Sequence, residues 1–350
     1  QKFANWKHSC GNRGGYKNTG VSGVKTYYIA SGYTIKKDEA DVVLFNVDNG
    51  CIKILNQYFL GNNPSFVQWH RKLLYVCFEK NDGAKISAFS LNSHTLELEE
   101  KASIEFNGCG ACHFMIFNHL IYVSCYYSGN LFVISEDLSE VIQKIEGEPG
   151  KSHFHWSDVD KKNELLFVSD LGKDEILVFS LKNRKNIALS YKIKCSEGSG
   201  PRQVKVMLPG QLLVVNENDN LWKYIKYTLH GICKEGPDIV CSMKTSSNYP
   251  SVAAMYDENL LCVANRGSQT ISVFSAKTMQ LVFEDKCYCE WPRYMYIDSY
   301  NYFWVTGQKS NEVVCLKLSE SNKKMLFKQA ILLQGASCIV EIEGEKKEVW

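Results

Sequence analysis

Hydrophobic positions along this chain come in short runs, with none of the sustained 3.6-residue rhythm of an amphipathic helix. The stretch from Gly200 to Glu217, GPRQVKVMLPGQLLVVNE, shows the pattern most clearly. Val204 and Val206 alternate with polar neighbours, and Leu212 to Val215 is an unbroken β-prone run. Pro209-Gly210 supplies the turn between them, so the stretch predicts two antiparallel strands. Arg202 stands near its start and Glu217 at its end.

The unit recurs. Its second strand is repeated in TYYIAS (Thr26 to Ser31), LYVCFE (Leu74 to Glu79), IYVSCY (Ile121 to Tyr126) and LFVSDL (Leu166 to Leu171). LVVNE (Leu213 to Glu217), CVANR (Cys262 to Arg266) and FWVTGQ (Phe303 to Gln308) follow. Each copy leads through a polar turn into a third strand, such as EILVFSL (Glu175 to Leu181), and then into a looser fourth. An interval of about 40–50 residues suits a propeller blade of four strands.

First strands begin at Pro64, Ala111, Ser152, Pro201, Pro250 and Pro292, but none precedes Thr26. The missing one is expected at the far end, ASCIVEI (Ala336 to Ile342). The sequence therefore predicts an all-β fold, a seven-bladed β-propeller closed by a C-terminal strand that completes the N-terminal blade. Closure of this kind removes exposed sheet edges. Residues 1–23, rich in Gly, Asn and Lys, are expected to form an irregular arm, with 24–350 a single propeller.

Composition narrows the functional classes. The 350 residues are 45% hydrophobic and 12% aromatic, enough for a large core. A net charge of +2 gives no electrostatic case for a nucleic-acid partner. No stretch approaches the roughly 20 apolar residues of a membrane span, and the opening QKFANWKHSCGNRGGYKN lacks the apolar centre of a signal peptide. The 14 cysteines show no framework spacing, and Cys77, Cys125, Cys262, Cys315 and Cys338 fall within apolar runs. They read as small buried hydrophobes of a reduced, cytoplasmic protein without disulfides. Cys109-Gly-Ala-Cys112-His113 is half of a zinc pattern whose second half is missing, so no metal or other cofactor is expected. At most a weak homodimer is anticipated.

In a propeller the first strands line the central channel and the adjoining loops form its mouth. Aligning the copies gives two layers. The first-strand layer is Ser65, Cys112, His155, Arg202, Ser251 and Arg293, completed by Cys338. The layer at the second-strand ends is Ser31, Glu79, Tyr126, Leu171, Glu217, Arg266 and Gln308. Placing His155 level with Arg202 requires one extra residue in the Asp160–Asn163 turn. His155, Arg202, Glu217, Arg266 and Arg293 then converge on one rim, as a basic pocket with a carboxylate and an imidazole. Such a pocket suits an anionic ligand and acid–base work. The competing reading is an ion-pair ring that ties blades together. His153, two residues before His155, is expected on the same side. His70, His94, His119 and His230 read as solvated loop residues, and Asp170, Gly172 and Asp174 as an aspartate-stabilised turn.

The stretches SHFHWSDVDKKNELLFVSDLGKDEILVF, GSGPRQVKVMLPGQLLVVNE, LLCVANRGSQTISVF and WPRYMYIDSYNYFWVTGQKSNEVVCL resemble the lactonase seven-bladed propeller family. That family includes propeller-type bacterial 6-phosphogluconolactonases and, more distantly, the fungal carboxymuconate-lactonizing enzyme. The family's proposed active-site histidine, arginine, glutamate and second arginine correspond to His155, Arg202, Glu217 and Arg266. The resemblance implies hydrolysis of a sugar lactone, 6-phosphogluconolactone by default, and the aligned layers make His153, Arg293, Gln308, Glu79 and Tyr126 the expected further substrate contacts. Cycloisomerisation of a muconate-type diacid and a non-catalytic binding propeller are the alternatives. In each case the expected partner is an anionic small molecule.

Overall fold

The computed structural model describes residues 26–342, apart from positions 35, 37, 38, 49, 62, 245 and 246. The expected N-terminal arm lies outside the described residues. Within them the chain forms seven antiparallel sheets, one of which carries an extra short strand. The only helical element among the described residues is a single 3-10 turn, Leu171–Lys173. The inner strands are Pro64–His70, Ala111–Phe117, Phe154–Asp160, Pro201–Leu208, Tyr249–Met255 and Pro292–Ile297 for blades 2 to 7. Each packs beside the next around the ring, and that of blade 7 packs beside Ala336–Ile342. The fold is a seven-bladed β-propeller.

Closure occurs where the sequence places it. Ala336–Ile342 pairs antiparallel with Thr26–Gly32, which continues outward through Val42–Asp48 and Cys51–Tyr58. A polar knot secures the seam between blades 1 and 7. Asp298 accepts hydrogen bonds from the Tyr28 hydroxyl at 2.7 Å and the Trp304 indole at 2.9 Å. Both rings are fully buried and pack together with Phe45. Two aromatic anchors satisfied by one carboxylate bury apolar area without stranding a polar atom.

Middle strands such as Leu165–Asp170 and Leu120–Cys125 are buried along their whole length, because neighbouring blades cover both of their faces. Outer strands such as Ala188–Lys194 are mostly exposed. The hydrophobic core is therefore a set of layers between blades. One example is Leu213, Val215 and Trp222 of blade 5 against Ala253, Val263 and Phe274 of blade 6. Cys77, Cys125, Cys262, Cys315 and Cys338 are all buried in such layers. Burial pushes the Cys77 and Cys338 thiols up to about 12, so they behave as small apolar groups.

Every inner strand carries a β-bulge at the same place. The pairing skips Ser65, Cys112, His155, Arg202, Ser251 and Arg293 in blades 2 to 7. In blade 1 it skips Ser337, since Gly32 pairs with Ala336 and Ser31 with Cys338. The seventh residue of the inner layer is thus Ser337, and the expectation of Cys338 is corrected by one position. The second layer shifts as well. The N–H groups of Glu79, Tyr126 and Glu217 bond to the carbonyl two residues before each bulge, and in blade 1 the group in that place is Tyr33, bonded to Gly335. Ser31, the expected member, sits two residues inside the ladder. Blade 1 misleads because Gly32 extends the strand. A Cβ there would lie 2.2 Å from the Gln334 carbonyl oxygen, so only glycine fits.

Candidate active site

The bulge and the strand end beside it bring one residue of each layer to the mouth in every blade. The four-residue turn after Asp160 keeps blade 4 in register: Asp160 accepts from the N–H groups of Lys162 and Asn163. Blade 3 turns in two residues, Asn118 and His119, both at positive φ. The extra length in blade 4 is what sets His155 level with Arg202.

Arg202 lies at the centre. Its Nη1 donates to Glu217 Oε2 at 2.8 Å and to His155 Nε2, and its Nε donates to the Ser251 carbonyl at 3.0 Å. Arg266 Nη2 meets the same Glu217 oxygen at 2.8 Å. Arg266 is further held by the carbonyls of Tyr249 and Pro250, at 3.0 and 3.3 Å, and its guanidinium lies over the Trp291 ring, 5.4 Å from the centroid. The four residues that the sequence nominates therefore form one contiguous cluster, supplied by consecutive blades. His155, Arg202 and Arg266 are buried, with Glu217 the most open at 22% side-chain exposure.

The electrostatics follow from this packing. Burial opposes the Glu217 charge, but the Arg202 and Arg266 guanidiniums outweigh it and hold the carboxyl down at about 2. For Arg266 the balance runs the other way: burial and the neighbouring Arg202 pull it down to about 9, against the pull of Glu217. Burial, then Arg202, Arg293 and Arg266 in turn, hold the His155 imidazole well below its ordinary range. It is therefore neutral. With Nε2 accepting from Arg202, the proton sits on Nδ1, which has no partner among the described residues.

A second cluster stands across the mouth. Arg293 Nη2 reaches Glu79 Oε2 at 3.4 Å, its guanidinium lies 4.9 Å over the Tyr33 ring, and the Tyr33 hydroxyl donates to Glu79. Glu79 and Arg293 are here as expected; Tyr33 was missed, because the strand-end alignment stopped two residues short of it. The signal was available in its position after Gly32, level with Glu79 once blade 1 is counted from the glycine. Tyr126 packs against the first cluster. Its ring stacks on His153 at 4.6 Å and meets His155 edge-on at 5.8 Å. His153 faces Tyr126, with Nδ1 2.9 Å from its carbonyl, and does not join the arginine cluster. Gln308 is tied in through its backbone, its N–H donating to the Trp291 carbonyl at 3.2 Å.

Other sequence candidates resolve differently. Cys112 donates to backbone carbonyls of Ser124 and His155, while His113 is buried and stacked on Trp156 at 3.9 Å, so the two do not share a ligand site. Among the described residues no cluster of three or more His, Cys, Asp or Glu side chains is arranged to hold a metal ion. Asp174 accepts from the N–H groups of Gly198 and Gly200, both at 2.7 Å, and so anchors the loop that leads to Arg202. His70 and His119 are not simply solvated. Both lie beside Glu136, at 3.3 and 3.2 Å, together with Arg71.

Comparison with known proteins bears on the family and the fold. A 6-phosphogluconolactonase of Formosa agariphila is 27% identical over 329 residues, covering 84% of this chain and 93% of its own. Among solved structures, a Bacteroides fragilis protein described as a 6-phosphogluconolactonase candidate superposes with TM-score 0.82 at 18% identity, over 93% of this chain and all of its own. The periplasmic gluconolactonase PpgL of Pseudomonas aeruginosa gives TM-score 0.81 at 14% identity, over 91% and 99%. These two likenesses speak to the fold. No helix among the described residues is long and apolar enough to cross a membrane. The model of the family described as "Lactonase, 7-bladed beta-propeller" matches residues 26–341, and the chain belongs to that family.

Proposed function

We propose that this protein hydrolyses a sugar-derived lactone carrying an anionic group, with 6-phosphogluconolactone as the leading substrate, at the His155–Arg202–Glu217–Arg266 cluster. Family membership and the Formosa relative support the reaction class. The observation that carries the site is the sharing of one Glu217 oxygen by two buried arginines. Two cations against one carboxylate leave a positive pocket with water-excluding walls, where hydrogen bonds to an anion are strongest.

Water attacks the lactone carbonyl carbon, and negative charge grows on the carbonyl oxygen. Arg202 and Arg266 present N–H donors to that charge and then to the product carboxylate, whose planar oxygens match a guanidinium fork. Glu217 and His155 are both unprotonated at neutral pH. In the empty site Glu217 is a weak base because the arginines hold it ionised. An arriving anion competes for those arginines and returns basicity to the carboxylate. Glu217 then takes the proton of the attacking water and passes it to the ring oxygen as the C–O bond breaks. The products balance as one hydroxy acid, which releases its carboxyl proton. Arg293, Glu79 and Tyr33 face the sugar hydroxyls, and Tyr126 lines the wall beside His155. The apolar setting of the buried thiols suits a cytoplasmic location.

The test is acid release from 6-phosphogluconolactone followed with a pH indicator, corrected for spontaneous opening. Turnover above background supports the proposal. A second reading has its own observation: every charge in the cluster is already paired, as in a structural ion ring. Thermal stabilisation by 6-phosphogluconate with no turnover would select a binding propeller instead.

A further inference from the structure

In five of the seven blades the residue two places before the bulge has a left-handed backbone conformation. In blades 1, 2, 3 and 5 it is Gly335, Asn63, Gly110 or Gly200, with φ of 54°, 53°, 70° and 60°. These are the residue types that accept a left-handed conformation at little cost. Blade 7 reaches the same conformation, φ 58°, with Trp291. A bulky side chain at positive φ is a genuine outlier, and Trp291 also precedes Pro292, which restricts its backbone further. Its N–H is fixed by Gln269 Oε1 at 2.8 Å. Four other blades solve the same turn without a large side chain, so the indole is retained against a conformational cost. Such outliers concentrate at functional sites.

The ring's contacts indicate what it does. The Arg266 guanidinium lies 5.4 Å from its centroid and Lys309 Nζ only 3.5 Å. Arg202 and Arg266 share Glu217, whereas Lys309 is exposed and makes no ion pair among the described residues. We propose that Trp291 is a specificity residue, whose indole, in contact with both cations, holds Lys309 at the rim as a subsite for an anionic group remote from the lactone carbonyl; this rests on the lactone reading above. A cation seated on an indole face is oriented by the ring quadrupole yet remains open to an anion.

Calorimetric titration of the full chain with 6-phosphogluconate and with gluconate tests the subsite apart from catalysis. The wild type is expected to prefer the phosphorylated acid. Trp291→Gly and Lys309→Met are each expected to lose about twofold to thirtyfold of that preference, the span of a cation–π contact. Trp291→Phe should retain most of it. Trp291→Gly should also melt no lower than the wild type, because glycine adopts the turn freely. Equal binding of the two acids by the wild type, or an intact preference in both variants, would overturn the subsite. A lower melting temperature with intact preference would make Trp291 a packing residue. Turnover separates the two proposals. Preference without hydrolysis would leave the subsite and remove the reaction, whereas hydrolysis of both lactones without preference would do the reverse.

Discussion

In blades 1, 2 and 6 the bulge residue is a serine and in blade 3 a cysteine, while in blades 4, 5 and 7 it is His155, Arg202 or Arg293. The serines all make one pattern of bonds. Ser65 Oγ donates to the Ala111 carbonyl of the next blade at 2.7 Å and to that of Cys77 in its own at 3.4 Å. Ser251 does the same with Pro292 and Ala264, at 2.6 and 3.2 Å, and Ser337 with Pro64 and Ser31 at 3.2 and 3.1 Å. A short hydroxyl at a bulge satisfies carbonyls that the broken ladder leaves unpaired. Blade 4 makes the equivalent link differently: Ser169 Oγ donates to the Arg202 carbonyl at 2.8 Å. That frees His155 to face the channel. The same backbone position is thus a rivet on one part of the ring and a channel-facing charged or imidazole group on the other, and large replaces small where the proposed site lies.

The largest effect is expected from removing the rivet of blade 1 together with its strand. A chain ending before Ala336 loses Ser337 and leaves the Thr26–Gly32 edge unpaired, a template for aggregation. It should be insoluble, as read by fractionation after expression. A soluble truncation with an unchanged melting temperature would contradict closure. Next comes Arg202→Ala. It removes the donor shared by Glu217 and His155, and loss of one such donor costs about a hundredfold to a thousandfold in turnover. Circular dichroism should still report a folded β-protein, since the cost falls on the site. Turnover at the wild-type rate would place Arg202 among the rivets.

The fold was legible because blades repeat, and because Pro64, Pro201, Pro250 and Pro292 mark the start of four inner strands, each one residue before the bulge. His155, Arg202, Glu217 and Arg266 could be nominated for the same reason, each standing at a repeat position occupied elsewhere by something else. Blade 1 defeated the count. Its two innermost strands come from opposite ends of the chain, it has no proline marker, and a bulge inserts one residue that the alternation of apolar and polar positions does not reveal. Hence Cys338 stood in for Ser337 and Ser31 for Tyr33. Trp291 was unreadable for another reason: its importance lies in a φ angle, which no side-chain pattern encodes.

A smaller effect, on stability alone, is expected from Ser65→Ala. The Ala111 and Cys77 carbonyls lose a buried donor, at a cost of about 1–3 kcal/mol. The urea midpoint should fall while turnover stays near that of the wild type. A loss of turnover comparable to that of Arg202→Ala would erase the distinction between the two kinds of bulge.

The smallest effect at neutral pH, and the sharpest in sign, concerns His155→Gln. The amide that replaces the imidazole keeps an acceptor for Arg202, so any change reports the imidazole's titration. In the folded protein burial and the surrounding arginines depress the His155 pKa well below 6.5, whereas the unfolded chain takes up a proton near that value. The unfolded state therefore binds more protons below pH 6.5, and stability must fall as pH drops from there toward the folded pKa. Above pH 6.5 the imidazole is neutral in both states and contributes no slope. His113, buried against Trp156 and likewise depressed, adds a second such group. Each contributes a slope of up to about 1.4 kcal/mol per pH unit. Urea midpoints of the wild type and His155→Gln should therefore run parallel from pH 8 to 7 and converge, or cross, between pH 6.5 and 5, because only the wild type must keep that imidazole neutral. Curves that stay parallel throughout would mean that His155 titrates alike in the folded and unfolded chain, and an imidazole kept neutral beside Arg202 by burial would have to be given up.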